Sequence, residues 1–413
     1  MNIRSLLTLL CCLSISQCFA NSVYVANTDD GTVSVLDTDT NNVIAVITVG
    51  AQPQGVAVNP NGSYVYVSNY TDNTVSVIDT TSNSVVDLIS SGSLSGPLGI
   101  AFTPNGNTAY VANNGTDTVA VIDTATNTVT TTVTVGTWPV SIAVTPNGSY
   151  AYVTNNFSSS NSVSVINTTT NMVTATVPVG NNPFGVTITP DGSFAYVSNL
   201  SDATVSVINT TTNTVIHTTP VGNNPRFLAA APTLNLVYVP NQEDGTVSAI
   251  DTQTNTVTTT IPVGTSPFCV VFTPDSSIAY VTNNGDDNVE EIETNINTGV
   301  GTTGVGNGPQ GMAITPNPPS PASVLPPAYL NGAQKKLEFL SQTEFYNVIQ
   351  WGASPSSGVV GYNIYKNGTK IANVSASTFQ YTQHNQRKNV PTTYSVSAFN
   401  ATGTESTFVS VSL

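Results

Sequence analysis

Positive charge, histidine and cysteine are all scarce in this chain of 413 residues, and each scarcity excludes something. Only eight lysines and arginines stand against 23 acidic residues. Between residues 21 and 317 the imbalance sharpens to twenty acidic residues and a single basic one, Arg226, a net charge of −19. Such a region repels phosphate backbones, so nucleic acid is not expected as a partner, and the acidity reads as solubility. With two histidines, His217 and His384, there is little provision for proton transfer near neutral pH. Three of the four cysteines (Cys11, Cys12 and Cys18) precede residue 21. Beyond them stands Cys269 alone, which can form neither an internal disulfide nor a cysteine metal site. A chain of this length can bury large cores without such staples.

The N-terminus carries the chain's longest apolar run. Met1-Asn2-Ile3-Arg4 is basic, Leu6 to Ile15 is apolar but too short to span a bilayer, and Cys18-Phe19-Ala20 offers a cleavage site. Residues 1–20 read as a signal peptide cleaved after Ala20. Leu10 and Gln17, which precede Cys11 and Cys18, are too large for a lipoprotein signal. The mature chain is expected outside the cytoplasm (periplasmic or extracellular), monomeric and not inserted in a membrane.

Internal repetition organises the chain from residue 22 onward. A Tyr-Val-x-Asn tetrad recurs from Tyr24 through Tyr66, Tyr110, Tyr152, Tyr196 and Tyr238 to Tyr280, at spacings of 42 or 44 residues. Each repeat holds four short segments rich in Val, Ile and Thr, bounded by Asn, Asp, Gly and Pro, which is a strand signature. Asn61-Gly62, Asn105-Gly106, Asn147-Gly148 and Asp191-Gly192 supply hairpin turns. Four strands in this period make a propeller blade, and seven make a closed ring; a β-solenoid usually has shorter rungs. The first repeat lacks its leading strand, and Gly311 to Thr315 is left over at the end. Pairing the two completes a blade and removes two sheet edges.

These repeats resemble the YVTN family of β-propellers of secreted and surface proteins, over residues 22–317. The resemblance implies the fold and little about activity. Pro316 to Pro327 is proline-rich. Beyond it, Ile349-x-Trp351, Gly361-Tyr362-Asn363-Ile364-Tyr365 and Tyr394-Ser395-Val396 resemble a fibronectin type III domain. In that family the tryptophan packs in the core and the late tyrosine makes a corner contact. The expected organisation is a leader (1–20), an all-β seven-bladed propeller (21–317), a linker (318–327) and a small β-sandwich (328–413).

No residue is assigned a catalytic role and no metal or cofactor is assigned. His217 falls on an outermost strand, His384 in a polar loop, and Cys269 aligns with Gly55, Gly99, Gly185 and Gly311 as a buried thiol. Acidic loops follow the tetrads (Asp29-Asp30, Asp72, Asp117, Asp202, Glu243-Asp244, Asp286-Asp287). They could ring a hard cation, but a residue present in nearly every blade is more simply a turn former. Differences between blades are more informative. The residue after the proline entering each innermost strand gives Gln54, Leu98, Val140, Phe184, Arg226, Phe268 and Gln310, joined by Trp138. They are expected to form a collar at the mouth of the central channel, able to hold a ligand with apolar surface and a negative group, or else a packed plug. The leading expectation is a non-enzymatic binding protein whose partner is a protein, a glycan or a small ligand. The alternative is a propeller enzyme of lyase or lactonase type at the channel mouth. A lyase of the virginiamycin type would need an inward histidine; a metal-dependent lactonase would need Glu, Asp and Asn around an ion; the tryptophan motifs of quinone-dependent dehydrogenases are absent.

Overall fold

The computed structural model describes residues 21–158, 160–316, 327–339, 342–354, 359–388, 390–400 and 405–413. The expected leader lies outside the described residues, as does nearly all of the expected linker. The chain divides into two compact units, one ending at Pro318 and the other running from Pro319 to Leu413. The described residues form strands and turns without a helix.

Seven four-stranded antiparallel sheets make up the first unit. Blade two is typical, running outward as Pro53–Val58, Tyr64–Asn69, Thr74–Asp79 and Ser84–Ser90. Its two middle strands are buried almost throughout, because neighbouring blades cover both faces. Valine-rich runs without alternation follow from that burial. The cores lie between blades: Tyr66, Val75 and Val77 of blade two pack with Ala109, Val111 and Ala120 of blade three. Each large aliphatic side chain buried this way contributes about 1.5–3 kcal/mol.

Blade one is assembled from both ends of the unit. Pro309–Ile314 forms its inner strand against Ser22–Asn27, with Val23 opposite Ile314, Tyr24 opposite Ala313 and Val25 opposite Met312. The two orphan segments of the sequence therefore pair as expected. Blade six departs from the pattern, its inner strand shrinking to Ala229–Ala230. Strand direction places the tetrad loops and the crossovers between blades at one end of every sheet. The inner hairpin turns and the outer hairpin turns lie at the other.

The second unit holds two sheets. One joins Leu330–Phe339, Gln342–Trp351 and Gln380–Gln386; the other joins Thr369–Ser375, Val359–Lys366, Thr393–Asn400 and Val409–Ser412. Trp351, Tyr362 and Tyr394 are buried in its core. Tyr394 was expected to make a corner contact. Its hydroxyl instead donates to Gln383 Oε1 at 2.6 Å and accepts from Asn347 Nδ2 at 3.2 Å.

Candidate active site

Glycines on the inner strands let adjacent blades meet around a narrow channel. A β-carbon at Gly311 would lie 1.9 Å from the Gln54 carbonyl oxygen, and one at Gly55 would lie 2.1 Å from that of Leu98, so neither position accepts a side chain. Hydroxyls on the tetrad strands then clamp the next blade. Ser68 donates to the Leu98 carbonyl (2.6 Å), Thr154 to Phe184 (2.7 Å), Ser198 to Arg226 (2.8 Å) and Thr282 to Gln310 (3.0 Å). Four expected collar residues thus have their backbone fixed by a neighbouring blade. The channel keeps a cavity of about 220 Å³, lined in part by Gln54, Ile100, Phe227, Cys269 and Met312.

One side of the mouth is built unlike the rest. Blade six carries Phe227 where blade five has Gly185. That ring cannot follow the repeat, so the segment turns to blade seven: the Phe227 N–H donates to the Phe268 carbonyl at 3.0 Å, and the Val270 N–H to Phe227 at 3.3 Å. The Phe227 ring lies 4.8 Å from Phe184 and 5.7 Å from Phe268, with Phe184 and Phe268 5.9 Å apart. Over this cluster sits Arg226, its guanidinium carbon 4.7 Å from the Phe184 ring centre and 5.1 Å from that of Phe268. Each such contact is worth about 0.5–2 kcal/mol, more as water is excluded.

Arg226 Nε donates to Gln242 Oε1 at 2.7 Å, while both Nη nitrogens lack a hydrogen-bond partner among the described residues. Burial pushes the guanidinium down to about 10, against the opposing pull of the Glu243 carboxylate, so it stays charged at neutral pH. Among the described residues no ion pair forms with the adjacent acids. Asp244 accepts from the backbone N–H (2.7 Å) and amide (3.0 Å) of Asn223, and Glu243 from the Asn224 amide (3.2 Å). Gln242, Glu243, Asp244, Asn224 and Thr265 line a cleft of about 550 Å³ between blades six and seven.

The eight expected collar residues therefore do not act as one ring. Phe184, Arg226 and Phe268 come together, with Phe227 as a fourth member that the proline-based alignment passes over. Its signal was a phenylalanine at a glycine position of the repeat. Trp138 is 48% exposed with φ of 56°, and its ring contacts Phe157 at 4.7 Å rather than the phenylalanine cluster. Val140 is buried; Gln54, Leu98 and Gln310 remain on the inner strands of their own blades.

The acidic loops pin crossovers. Asp72 accepts from the Ala51 N–H (2.7 Å), Asp286 from Thr265 (2.6 Å), Asp287 from Gly308 (2.9 Å), and Asp30 from the Asn307 N–H (2.7 Å). These bonds run between segments rather than within one turn. Among the described residues no group of three or more His, Cys, Asp or Glu is placed to hold a metal ion. His217 is exposed on the outer strand Thr214–Pro220. His384 Nδ1 meets Glu344 at 2.8 Å in the second unit. Cys269 is buried, which pushes its thiol up to about 12.

Solved structures share the propeller fold at low identity. A hydrazine synthase of Kuenenia stuttgartiensis superposes with TM-score 0.61 at 23% identity, over 66% of this chain and 92% of that one. A functionally unknown protein of Desulfotomaculum acetoxidans gives TM-score 0.64 at 20% identity, over 72% and 99%. The dihydro-heme d1 dehydrogenase NirN gives 0.54 at 16%, over 71% and 75%. Comparison with curated proteins finds no matching sequence. The sequence profile described as "Lactonase, 7-bladed beta-propeller" matches residues 15–272. That match overturns the expectation of a non-enzymatic binding protein, which leaned on the missing inward histidine. Opening an ester needs an oxyanion stabiliser and a base, and a guanidinium and a carboxylate can fill both roles. The chain belongs to the seven-bladed β-propeller lactonase family.

Proposed function

We propose that this chain is a lactone-opening enzyme working at the channel mouth over blades five to seven. The observation that carries the reading is Arg226: a charged guanidinium stacked on Phe184 and Phe268, with its Nη groups unpaired among the described residues, and held through Nε by Gln242, which lines an acidic cleft together with Glu243. A lactone ring lies against the phenylalanines with its carbonyl oxygen toward Nη. Glu243 takes a proton from water as the water oxygen bonds to the carbonyl carbon. Arg226 stabilises the negative charge that develops on the carbonyl oxygen, more strongly than in water because the site is partly dry. Collapse breaks the ring C–O bond, the proton passes to the departing alkoxide, and a hydroxy acid leaves.

We further read the repeats as YVTN-type blades, the second unit as fibronectin type III-like, and residues 1–20 as a leader for export. The test is hydrolysis of a panel of γ- and δ-lactones, with and without an anionic substituent, followed by acid release. Arg226→Ala should lower kcat/KM by about 10²–10³-fold, the loss typical of an oxyanion donor, with circular dichroism unchanged. Glu243→Gln should lower kcat more than it raises KM. A panel that is not turned over, or variants as active as the parent, would overturn the reading.

A further inference from the structure

At the end of the blades opposite Arg226, four inner hairpin turns latch onto the preceding blade. Their glycines have φ of 73° to 77°, and a β-carbon on Gly62, Gly106, Gly148 or Gly192 would lie 3.3 to 3.4 Å from Pro316, Pro60, Pro104 or Pro146. Each turn carbonyl also accepts a threonine hydroxyl from its own blade: Thr80, Thr124, Thr168 and Thr210 donate to these glycines at 2.5 to 2.7 Å. In blade seven Ser276 stands in for the glycine and still accepts from Thr294 at 2.6 Å.

Blade six breaks the latch. Pro232-Thr233-Leu234-Asn235 replaces the Pro-Asn-Gly-Ser of blade two, and Leu234 is 44% exposed. Pro190 of blade five consequently loses its glycine neighbour, and a groove of about 450 Å³ opens between blades five and six. Thr252, the counterpart of Thr80, lines the groove with its hydroxyl unpaired among the described residues. One change in the turn thus has two consequences: a lost contact that makes room, and a freed hydroxyl among the residues that line it.

We infer that this groove is a binding site for a neutral saccharide. Its volume falls in the range of small-ligand sites, roughly 300–1,000 Å³. Phe194, Pro190, Pro232 and Leu234 supply apolar surface for the C–H face of a sugar ring. Thr252, Gln253 and Asn235 supply hydroxyl and amide groups for its hydroxyls. Asp191, whose Oδ1 accepts from the Thr189 hydroxyl (2.6 Å) and the Ser193 N–H (3.0 Å), adds a carboxylate to the lining. Those bonds hold the carboxyl below its ordinary value. No lysine or arginine lines the groove, and a unit of net charge −19 disfavours acidic sugars.

The test is saturation-transfer NMR on the whole protein with glucose, galactose, N-acetylglucosamine and cellobiose as probes, and choline as a cation of similar size. At least one saccharide should bind saturably, with Kd in the millimolar range or below. Restoring the latch with Thr233→Asn and Leu234→Gly should weaken that binding about tenfold or more. Arg226→Ala should leave it unchanged, which separates this site from the proposed active site. Should the latch variant misfold, Asn235→Ala with Gln253→Ala serves in its place. Absence of saturable saccharide binding, binding of choline alone, or binding that survives these changes would overturn the inference.

Discussion

The Tyr280 hydroxyl donates to Asn41 Oδ1 at 3.1 Å, joining residues 239 positions apart across the seam where the ring closes. Every blade repeats this bond to the next one, as Tyr24 does to Asn83 and Tyr152 to Asn213, both at 2.6 Å. The receiving asparagines all sit in an outer hairpin turn at φ between 48° and 55°. Asparagine tolerates that left-handed conformation and presents an acceptor at the same time. At the seam the Asn41 amide also donates to Glu291 Oε2 at 2.6 Å.

Glu291 replaces the Val35, Val77 or Val121 of other blades, and Gly301 opposite leaves room for it. Burial raises its carboxyl above the ordinary 4.5, with the Asn41 bond opposing. The folded chain therefore binds the proton more tightly than the unfolded one. This stabilisation is complete below the unfolded value and is lost as pH rises through the folded one. Glu291→Gln should raise the melting temperature at about pH 7, and the gain should shrink to nothing below about pH 4.5. Melts across that range check it; a gain independent of pH would assign the effect to packing.

Closure gives a second prediction. Ending the chain at residue 308 removes Pro309–Ile314 and leaves Ser22–Asn27 as an exposed edge. Its melt should fall by upward of about 10 °C, or the protein should aggregate, whereas a chain ending at 324 should keep the propeller's melt. Equal melts for the two would show that the seam is held by blade contacts alone.

Cys269 should be inert in the folded state. With its thiol near 12 and buried on an inner strand, the thiolate is negligible at neutral pH. Iodoacetamide labelling, followed by mass, should track global unfolding in urea rather than reagent concentration. Labelling of native protein within minutes would mean that the inner strand of blade seven opens locally.

Blade number and closure were legible because each repeat forms hairpins with itself and packs only against its neighbours. The two orphan segments then had one another as partners. The site was less legible. Aligning residues after a proline fixes position along a strand but not the direction of the side chain. Phe184, Arg226 and Phe268 converge, whereas Trp138, which precedes its proline, packs its ring on Phe157. Phe227 was readable in principle, since it alone places a ring where Gly185 and Gly311 have none. What the sequence could not show is that this ring pulls its segment across to blade seven.

Gln242 offers the sharpest test of the site. Its Oε1 fixes the guanidinium through Nε and leaves Nη for a ligand. Gln242→Ala removes that orientation without touching charge, so kcat/KM should fall about tenfold, the worth of roughly 1.5 kcal/mol for a bond to a charged group. Gln242→Glu keeps the acceptor and its length but adds a carboxylate 2.7 Å from Nε if the geometry holds. Leaving the guanidinium without a partner costs more than pairing it, so the pair should melt above the alanine variant while it competes with the oxyanion for the guanidinium's charge. The glutamate variant should therefore be more stable than the alanine variant and yet no more active. If Gln242→Glu keeps the parent's kcat/KM, Arg226 is not the group that meets the developing charge. A loss of both stability and activity would instead mean that the glutamate had turned away from Arg226, which a crystal structure of the variant would show directly.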